Sequence, residues 1–244
     1  MLALCALALA AAPLHTPLQA QRRTVRGSDI WTNTSGDQRL GPRVVLTWTI
    51  DERRSSLGQV PRQLLLVGGI MRDIGGGRRF GAGYAYLHTS PNEDFGPRRA
   101  SDEHRVWQQF TGAHRTFGAT WNHRLRWEQR WIAPEPTAGA SRDWAYASRV
   151  RHQLRVVRPL DGRAPAASRF YVMPNSELFV RTVGHRGVFF DQSRLGVSLG
   201  VGVASRLNLE AGYLRQSIIR ADGLHERHDV LQLTGRVPLQ SRPR

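Results

Sequence analysis

The fold is decided by the stretch Thr120-Trp121-Asn122-His123-Arg124-Leu125-Arg126-Trp127-Glu128-Gln129-Arg130-Trp131. One face of this stretch carries Trp121, Leu125, Trp127 and Trp131, and the other carries Asn122, Arg124, Arg126, Glu128 and Arg130. A period of two residues is that of a β-strand, whose successive side chains point to opposite faces. A soluble sandwich and a membrane barrel both contain such strands, so the neighbouring segments have to distinguish the two.

The neighbouring segments repeat the alternation over similar lengths. Residues 144–157 place Tyr146, Val150, Leu154 and Val156 opposite Arg149, Arg151, Gln153 and Arg155. Residues 189–203 place Leu195, Val197, Leu199 and Val201 opposite Gln192, Arg194, Gly196, Ser198 and Gly200. Globular strands usually span about five or six residues, whereas a tilted strand that crosses a membrane needs about nine to eleven. The length of the alternation therefore favours a transmembrane barrel.

Ten strands are predicted from this alternation and from the Gly, Pro, Asp and Asn residues that interrupt it. They cover residues 43–51, 62–73, 79–89, 102–112, 117–132, 143–158, 169–182, 188–203, 206–219 and 227–238. Long connections at 52–61, 90–101, 133–142 and 220–226 alternate with tight ones, as extracellular loops alternate with periplasmic turns. The predicted fold is all-β, an antiparallel up-and-down transmembrane β-barrel of about 10 to 12 strands.

The predicted barrel covers residues 42–239, with a short C-terminal tail at 240–244. Residues 21–41 are expected to add a strand, since bacterial barrels prefer even numbers, or to lie inside the lumen. Residues 1–20 resemble a secretory signal peptide, with an apolar run from Leu2 to Ala12 and a cleavage site after Leu18-Gln19-Ala20. We expect this peptide to be removed on export to the outer membrane of a Gram-negative bacterium, together with Cys5, the single cysteine.

The net charge of +16 comes wholly from arginine, because the chain has no lysine. Such a charge raises the question of nucleic-acid binding. The arginines, however, alternate with apolar residues along strands instead of clustering on one helix or loop, so nucleic acid is not an expected partner. The glycine runs Gly68-Gly69 and Gly75-Gly76-Gly77 lack the lysine of a phosphate-binding loop. The sequence predicts no cofactor and no metal site.

Four segments in order along the chain resemble a known family. They are Glu103-His104-Arg105-Val106-Trp107-Gln108-Gln109, His123-Arg124-Leu125-Arg126-Trp127-Glu128-Gln129-Arg130, Phe190-Asp191-Gln192-Ser193-Arg194 and Leu209-Glu210-Ala211-Gly212-Tyr213-Leu214-Arg215-Gln216. Together they resemble the domain of unknown function 2490 family, from about Trp31 to the last strand, with Ser193 where asparagine is expected. The resemblance implies an uncharacterised bacterial outer-membrane barrel and no particular activity.

The polar faces of the predicted strands form a candidate lumen network. Its members are Glu103, Arg105, Arg124, Arg126, Glu128, Arg130, Arg149, Arg151, Arg155, Glu177, Arg181, Gln192, Arg194, Glu210 and Gln216, with Arg236 on the last strand. One interpretation is a ladder of arginine–glutamate pairs that fills a narrow lumen. A second takes the excess of arginine as selective for small anions, in a narrow anion-permeable pore or a ligand-binding barrel.

A lipid-modifying enzyme is the third interpretation, and no catalytic residue is assigned to it. Ser148 and His152 share a predicted face, but four residues along a strand separate them too far for a hydrogen bond. Membrane lipid, including lipopolysaccharide, is the expected partner. Its phosphates would meet arginines predicted to be exposed in or beside the outer loops, namely Arg53, Arg54, Arg98, Arg99, Arg220 and Arg227.

Overall fold

The computed structural model describes residues 24–92, 98–137, 139–162, 169–184, 189–204, 207–220 and 224–237. These residues form eleven strands of one closed barrel. The strands are β1 (Thr24–Arg39), β2 (Val44–Ser55), β3 (Val60–Gly75), β4 (Arg78–Thr89), β5 (Ser101–Thr116), β6 (Ala119–Pro134), β7 (Ala145–Pro159), β8 (Phe170–Val183), β9 (Phe190–Ala204), β10 (Leu207–Ile219) and β11 (His225–Val237). The predicted signal peptide at 1–20 and the tail at 240–244 lie outside the described residues.

The predicted fold class is confirmed, and the count of eleven strands lies within the predicted range of about 10 to 12. The added strand is β1, which contains most of the segment at 21–41 for which a strand and a lumen segment were both considered. Consecutive strands pair antiparallel around the barrel, whereas β1 and β11 close it in parallel. An odd number of alternating strands makes this unavoidable, because the first and last strands then run in the same direction.

The two ends of the barrel differ in their connections. One end, called here the turn end, has the tight connections 40–43, 76–77, 117–118 and 205–206, together with the longer 160–169. The opposite end, called the loop end, has 56–59, 90–100, 135–144, 184–189 and 220–224. The long connection predicted at 52–61 is wrong, since β2 extends to Ser55 and β3 begins at Val60.

The outer surface of the barrel is apolar. Side chains such as Leu195, Leu199 and Leu125 are 68%, 63% and 50% exposed on the outward faces of β9 and β6. Trp131 packs against Tyr146 toward the loop end, with ring centroids 5.6 Å apart, and Trp48 and Trp121 lie toward the turn end. The described residues contain no helix long and apolar enough to cross a membrane.

Apolar contacts inside the barrel are confined to small clusters. One is formed by Val45, Leu65, Met71, Ala85, Leu87 and Trp107, and a second by Trp31, Leu214 and Val230. Trp107 is fully buried and lies over the paired glycines Gly69 and Gly83, where any Cβ would be about 2.3 Å from the indole ring. Most of the remaining interior is polar and charged, the reverse of a soluble protein.

Candidate functional site

The structure places every residue of the predicted lumen network inside the barrel. The inward faces are those that the alternation predicts, because side chains two residues apart on a strand share a face. On β6 the inward residues are Arg124, Arg126, Glu128 and Arg130, and on β7 they are Arg149, Arg151 and Arg155. These side chains form ion pairs across strands and across the lumen.

Glu128 lies at the centre of the network. Its side chain is 1% exposed. Arg149 donates from Nε to Glu128 Oε2 at 2.6 Å, and Arg151 donates from Nη1 to Glu128 Oε1 at 3.2 Å. Both arginines come from the neighbouring strand β7, and the Glu128–Arg149 pair is in direct register. One carboxylate thus holds two guanidinium groups in a site with almost no solvent.

Two further carboxylates extend the network in both directions from Glu128. Toward the loop end, Glu103 accepts hydrogen bonds from Arg105 at 2.6 Å and from Arg130 at 3.0 Å. Toward the turn end, Glu177 accepts from three arginines, with contacts of 2.9, 2.9 and 3.2 Å. These three are Arg124, Arg151 and Arg194. Since Arg151 contacts both Glu128 and Glu177, these two carboxylates and their arginines form one continuous set of ion pairs. Glu103, with Arg105 and Arg130, lies next to this set toward the loop end. The two groups together are called here the lattice.

Two inward charged residues were not predicted because β-bulges reverse their direction. Arg62 is the unpaired residue on β3 between Pro61 and Gln63, which face Arg54 and Arg53. Asp191 is the unpaired residue on β9 where Phe190 and Gln192 pair with Val180 and Phe179. A bulge adds one residue to one strand, so a side chain that strict alternation places outside turns inward. Asp191 binds Arg149 at 3.1 Å and Arg181 at 2.6 Å.

A second buried cluster lies at the parallel seam between β1 and β11. His228 is fully buried between Asp29 on β1, at 3.4 Å, and Glu226 on its own strand, at 3.3 Å. Arg62 reaches across from β3 and contacts all three of these residues. The ion pairs of this cluster link β1 and β11, the first and last strands of the sheet. Its two carboxylates, histidine and arginine contact one another where the strands pair in parallel, and Arg220 also binds Glu226.

The aromatic rings of Phe179 and Trp107 contact the guanidinium groups of the lattice. Arg149, Arg151 and Arg194 lie over the ring of Phe179, at 4.9, 5.1 and 4.9 Å from its centroid. Arg126 lies over Trp107 at 4.4 Å. Such contacts stabilise a desolvated cation by about 2 kcal/mol. Phe179 was not among the predicted lumen residues, although its spacing of two residues from Glu177 places both on one face.

The half of the barrel toward the loop end is packed with these side chains. Glu103, Arg105, Glu128, Arg149, Asp191 and Phe179 are all buried, as are the four residues of the seam cluster. The half toward the turn end instead contains a cavity of about 250 Å³. Arg124, Arg126, Glu177 and Glu210 are among its lining residues. The interior is therefore closed at one end and hollow at the other.

One of the arginines predicted to be exposed at an outer loop is buried instead. Arg53 points inward and is 8% exposed, because β2 continues through the predicted loop. It binds Asp51 at 3.0 Å and lies over Trp31 at 4.3 Å. Arg98, Arg99 and Arg227 are exposed, as predicted.

The serine and histidine considered for catalysis are not paired with each other. Ser148 is in hydrogen-bond contact with Thr182 on β8, and His152 packs against His123 with ring centroids 5.7 Å apart. A different pair makes such a contact, since Ser217 Oγ lies 2.6 Å from His225 Nε2 near the loop end. A hydrolase also requires donors for the oxyanion, so this pair alone assigns no reaction. No group of three or more His, Cys, Asp or Glu side chains in the described part of the chain is arranged to hold a metal ion.

Comparisons with known proteins give a family and a similar solved structure. The sequence pattern of the family described as "Protein of unknown function (DUF2490)" matches residues 28–227. Among solved structures, the chain is similar to the translocator domain of autotransporter NalP from Neisseria meningitidis. The identity is 12%, the match covers 73% of this chain and 70% of that chain, and the TM-score is 0.41. No curated protein matches the sequence.

Proposed function

Because the chain belongs to the DUF2490 family, whose description gives no function, we propose a role from its own geometry. The protein is an outer-membrane β-barrel that an arginine–carboxylate lattice closes to solutes in its loop-end half. The single observation that carries this proposal is that the inward charged residues of that half are buried against one another, with Glu128 1% exposed and His228 fully buried.

The outer surface supports insertion in a membrane. A soluble protein rarely exposes a large continuous apolar surface, yet outward residues on β9, β6 and β3 such as Leu195, Trp127 and Ile70 are 46–68% exposed. A transmembrane barrel has an apolar outer band between aromatic girdles. Trp131 and Tyr146 lie toward one end and Trp48 and Trp121 toward the other, which fits that arrangement. The longer connections of the loop end then face the cell exterior.

The packed half argues against the anion-permeable pore among the earlier interpretations. A barrel of eight strands is filled by its own side chains, and a few more strands widen it only modestly. In this barrel, long arginine side chains extend across the lumen. Arg62 of β3 reaches Asp29 of β1 and Glu226 of β11, and Arg194 of β9 reaches over Trp31 of β1. Each such crossing occupies space that a pore would need.

Membrane lipid is the proposed partner of the outer surface. At the loop end, Arg26 and Arg227 pair in register on the outward faces of β1 and β11, and both are exposed. Arg215 lies beside them, bound to Asp229 at 3.0 Å and 61% exposed at its side chain. Guanidinium groups bind phosphate oxygens in pairs of hydrogen bonds. These three arginines are placed to meet the phosphates of outer-leaflet lipid, including lipopolysaccharide.

The membrane part of the proposal predicts a heat-modifiable protein. The full chain, expressed in a Gram-negative host, is expected in the outer-membrane fraction after urea washing of the membranes. Unheated samples are expected to migrate differently from boiled samples on a denaturing gel, because a closed barrel resists detergent until it is heated. Recovery in the soluble periplasmic fraction with one heat-independent band would contradict the proposal.

A further inference from the structure

The cavity in the turn-end half has a wall unusually rich in arginine. Seven arginines and four carboxylates line it, an excess of three positive charges. The arginines are Arg53, Arg124, Arg126, Arg151, Arg155, Arg194 and Arg236, and the carboxylates are Asp37, Asp51, Glu177 and Glu210. The excess of positive charge in the chain is therefore found in an enclosed cavity as well as on the surface.

The carboxylates of the wall are already engaged. Asp51 binds Arg53 at 3.0 Å and Asp37 binds Arg79 at 2.9 Å. Glu177 is shared by three arginines, and Glu210 accepts from Arg155 at 3.1 Å and contacts Arg236 at 3.6 Å. Glu210 also accepts a hydrogen bond from Tyr171 at 3.0 Å. No carboxylate of this described wall is left over for a further guanidinium.

Arg126 is the guanidinium that this shortage leaves without a carboxylate at hydrogen-bonding distance. Its side chain is 8% exposed and lines the cavity. Within the described chain it makes one hydrogen bond, from Nε to Gln109 Oε1 at 2.7 Å, and its nearest carboxylate oxygen is Glu128 Oε1 at 4.0 Å. Burying a charged group without a partner is costly. An anion in the cavity would supply the missing acceptor.

Three further arginines of the wall are not fully hydrogen-bonded. The Nε atoms of Arg124, Arg194 and Arg236 are buried and make no hydrogen bond within the described residues. Neutral polar groups complete the wall, among them Gln153 and Asn175. A phosphate-type oxyanion accepts several hydrogen bonds at once, and planar guanidinium groups suit its oxygens.

Among the charged side chains of the cavity wall, those nearest the turn end are the most exposed. Asp37 and Arg236 lie at that end of its lining, and their side chains are 32% and 33% exposed. The opposite end is closed by the packed half of the lattice. A volume of about 250 Å³ accommodates a small solute but not a polymer. A ligand therefore enters from the turn end, which faces the periplasm if the proposed orientation holds.

We propose that this cavity binds a small, multiply charged anion of the phosphate class, with Arg126 as its central contact. The direction of entry rests on the proposed function, whereas binding itself rests only on the geometry of the cavity. The ligand is soluble and not a lipid headgroup, because the cavity lies inside the barrel and the lipid lies outside it.

Calorimetric titration of the detergent-folded full chain with inorganic pyrophosphate tests this proposal. We expect saturable binding of one pyrophosphate per barrel, weakened by added sodium chloride because salt screens charge, and no binding of glucose. Arg126→Gln is expected to weaken binding by about tenfold or more, the usual effect of losing a charged hydrogen bond. Its unfolding midpoint should change little, since Arg126 has no carboxylate at hydrogen-bonding distance and its nearest carboxylate oxygen lies 4.0 Å away.

Arg105→Gln is the matched control. Arg105 is also a buried arginine, but it belongs to the packed half, pairs with Glu103 and does not line the cavity, so its loss should leave pyrophosphate affinity unchanged. If Arg126→Gln does not fold, Arg236→Gln is the second test. Arg236 lies at the cavity mouth, and its replacement should also weaken pyrophosphate binding. The proposal is overturned if the wild type shows no saturable binding, or if Arg105→Gln weakens binding as much as Arg126→Gln. A heat-modifiable barrel that binds nothing would overturn this inference and leave the proposed function intact.

Discussion

Replacing Glu128 with alanine is expected to lower the free energy of unfolding by about 3–5 kcal/mol, the usual cost of breaking a buried ion pair. Glu128 is 1% exposed and holds Arg149 at 2.6 Å and Arg151 at 3.2 Å. Without the Glu128 carboxylate, Arg149 still binds Asp191 and Arg151 still binds Glu177. The negative charge between the two guanidinium groups is lost. The loss is large because the remaining charges are buried and repel each other.

Urea unfolding of the barrel in detergent, followed by tryptophan fluorescence, measures this loss. Glu52→Ala is the matched control, since Glu52 pairs with Arg54 at 3.1 Å on the outer surface with 49% of its side chain exposed. An exposed pair contributes about 0–1 kcal/mol. If Glu128→Ala and Glu52→Ala destabilise the barrel equally, the lattice does not hold the interior together.

The second large effect is expected at Gly83. Valine there should destabilise the barrel by about 3 kcal/mol or more, at the upper end of the usual cost of overpacking. A Cβ on Gly83 would lie 2.2 Å from the carbonyl oxygen of Gly68 and 2.3 Å from the ring of Trp107. Because backbone atoms cannot yield as a flexible side chain can, Trp107 and its strand pairing would have to move.

Gly68→Val is the control for Gly83→Val. Gly68 is on the adjacent strand, and a Cβ built there has no neighbour within 4 Å. Since β-branched residues suit strands, this variant should match or exceed the wild type in the same urea titration. The account of Trp107 packing is wrong if the two valine variants have similar midpoints, or if Trp107 fluorescence stays unchanged in Gly83→Val.

The sequence predicted the strands because the interior is charged and the exterior apolar. Each inward arginine on β6 and β7 alternates with an outward Leu, Val or Trp, so the pattern gave both the strand and its inner face. The same reasoning extends to β11, where Glu226 and His228 share the parity of Arg236. Glu226 was missed because that strand was placed from residue 227, whereas His228 lay inside the predicted strand and was not assigned to the lumen network.

Four features could not be predicted from the alternation. Arg62 and Asp191 turn inward at bulges, and a bulge leaves no period in a single sequence. The strand β1 shows weak alternation, because its outward positions include Thr32 and Thr34 instead of large apolar residues. The parallel pairing of the first and last strands follows from an odd number of strands. Because the sequence did not determine whether β1 is a strand, it did not determine this pairing. The loop-end half is packed and the turn-end half is hollow because of which arginines pair with carboxylates across the lumen. The alternation along single strands does not predict these pairings.

Single-channel recording in planar lipid bilayers tests the central claim most directly. The folded wild-type barrel, reconstituted at a density at which a general diffusion porin gives clear steps, is expected to show no stable conductance steps. The reason is that the loop-end half is filled by Glu103, Glu128 and the arginines bound to them. Reproducible steps, with either anion or cation preference, would contradict a barrel closed by its own ion pairs.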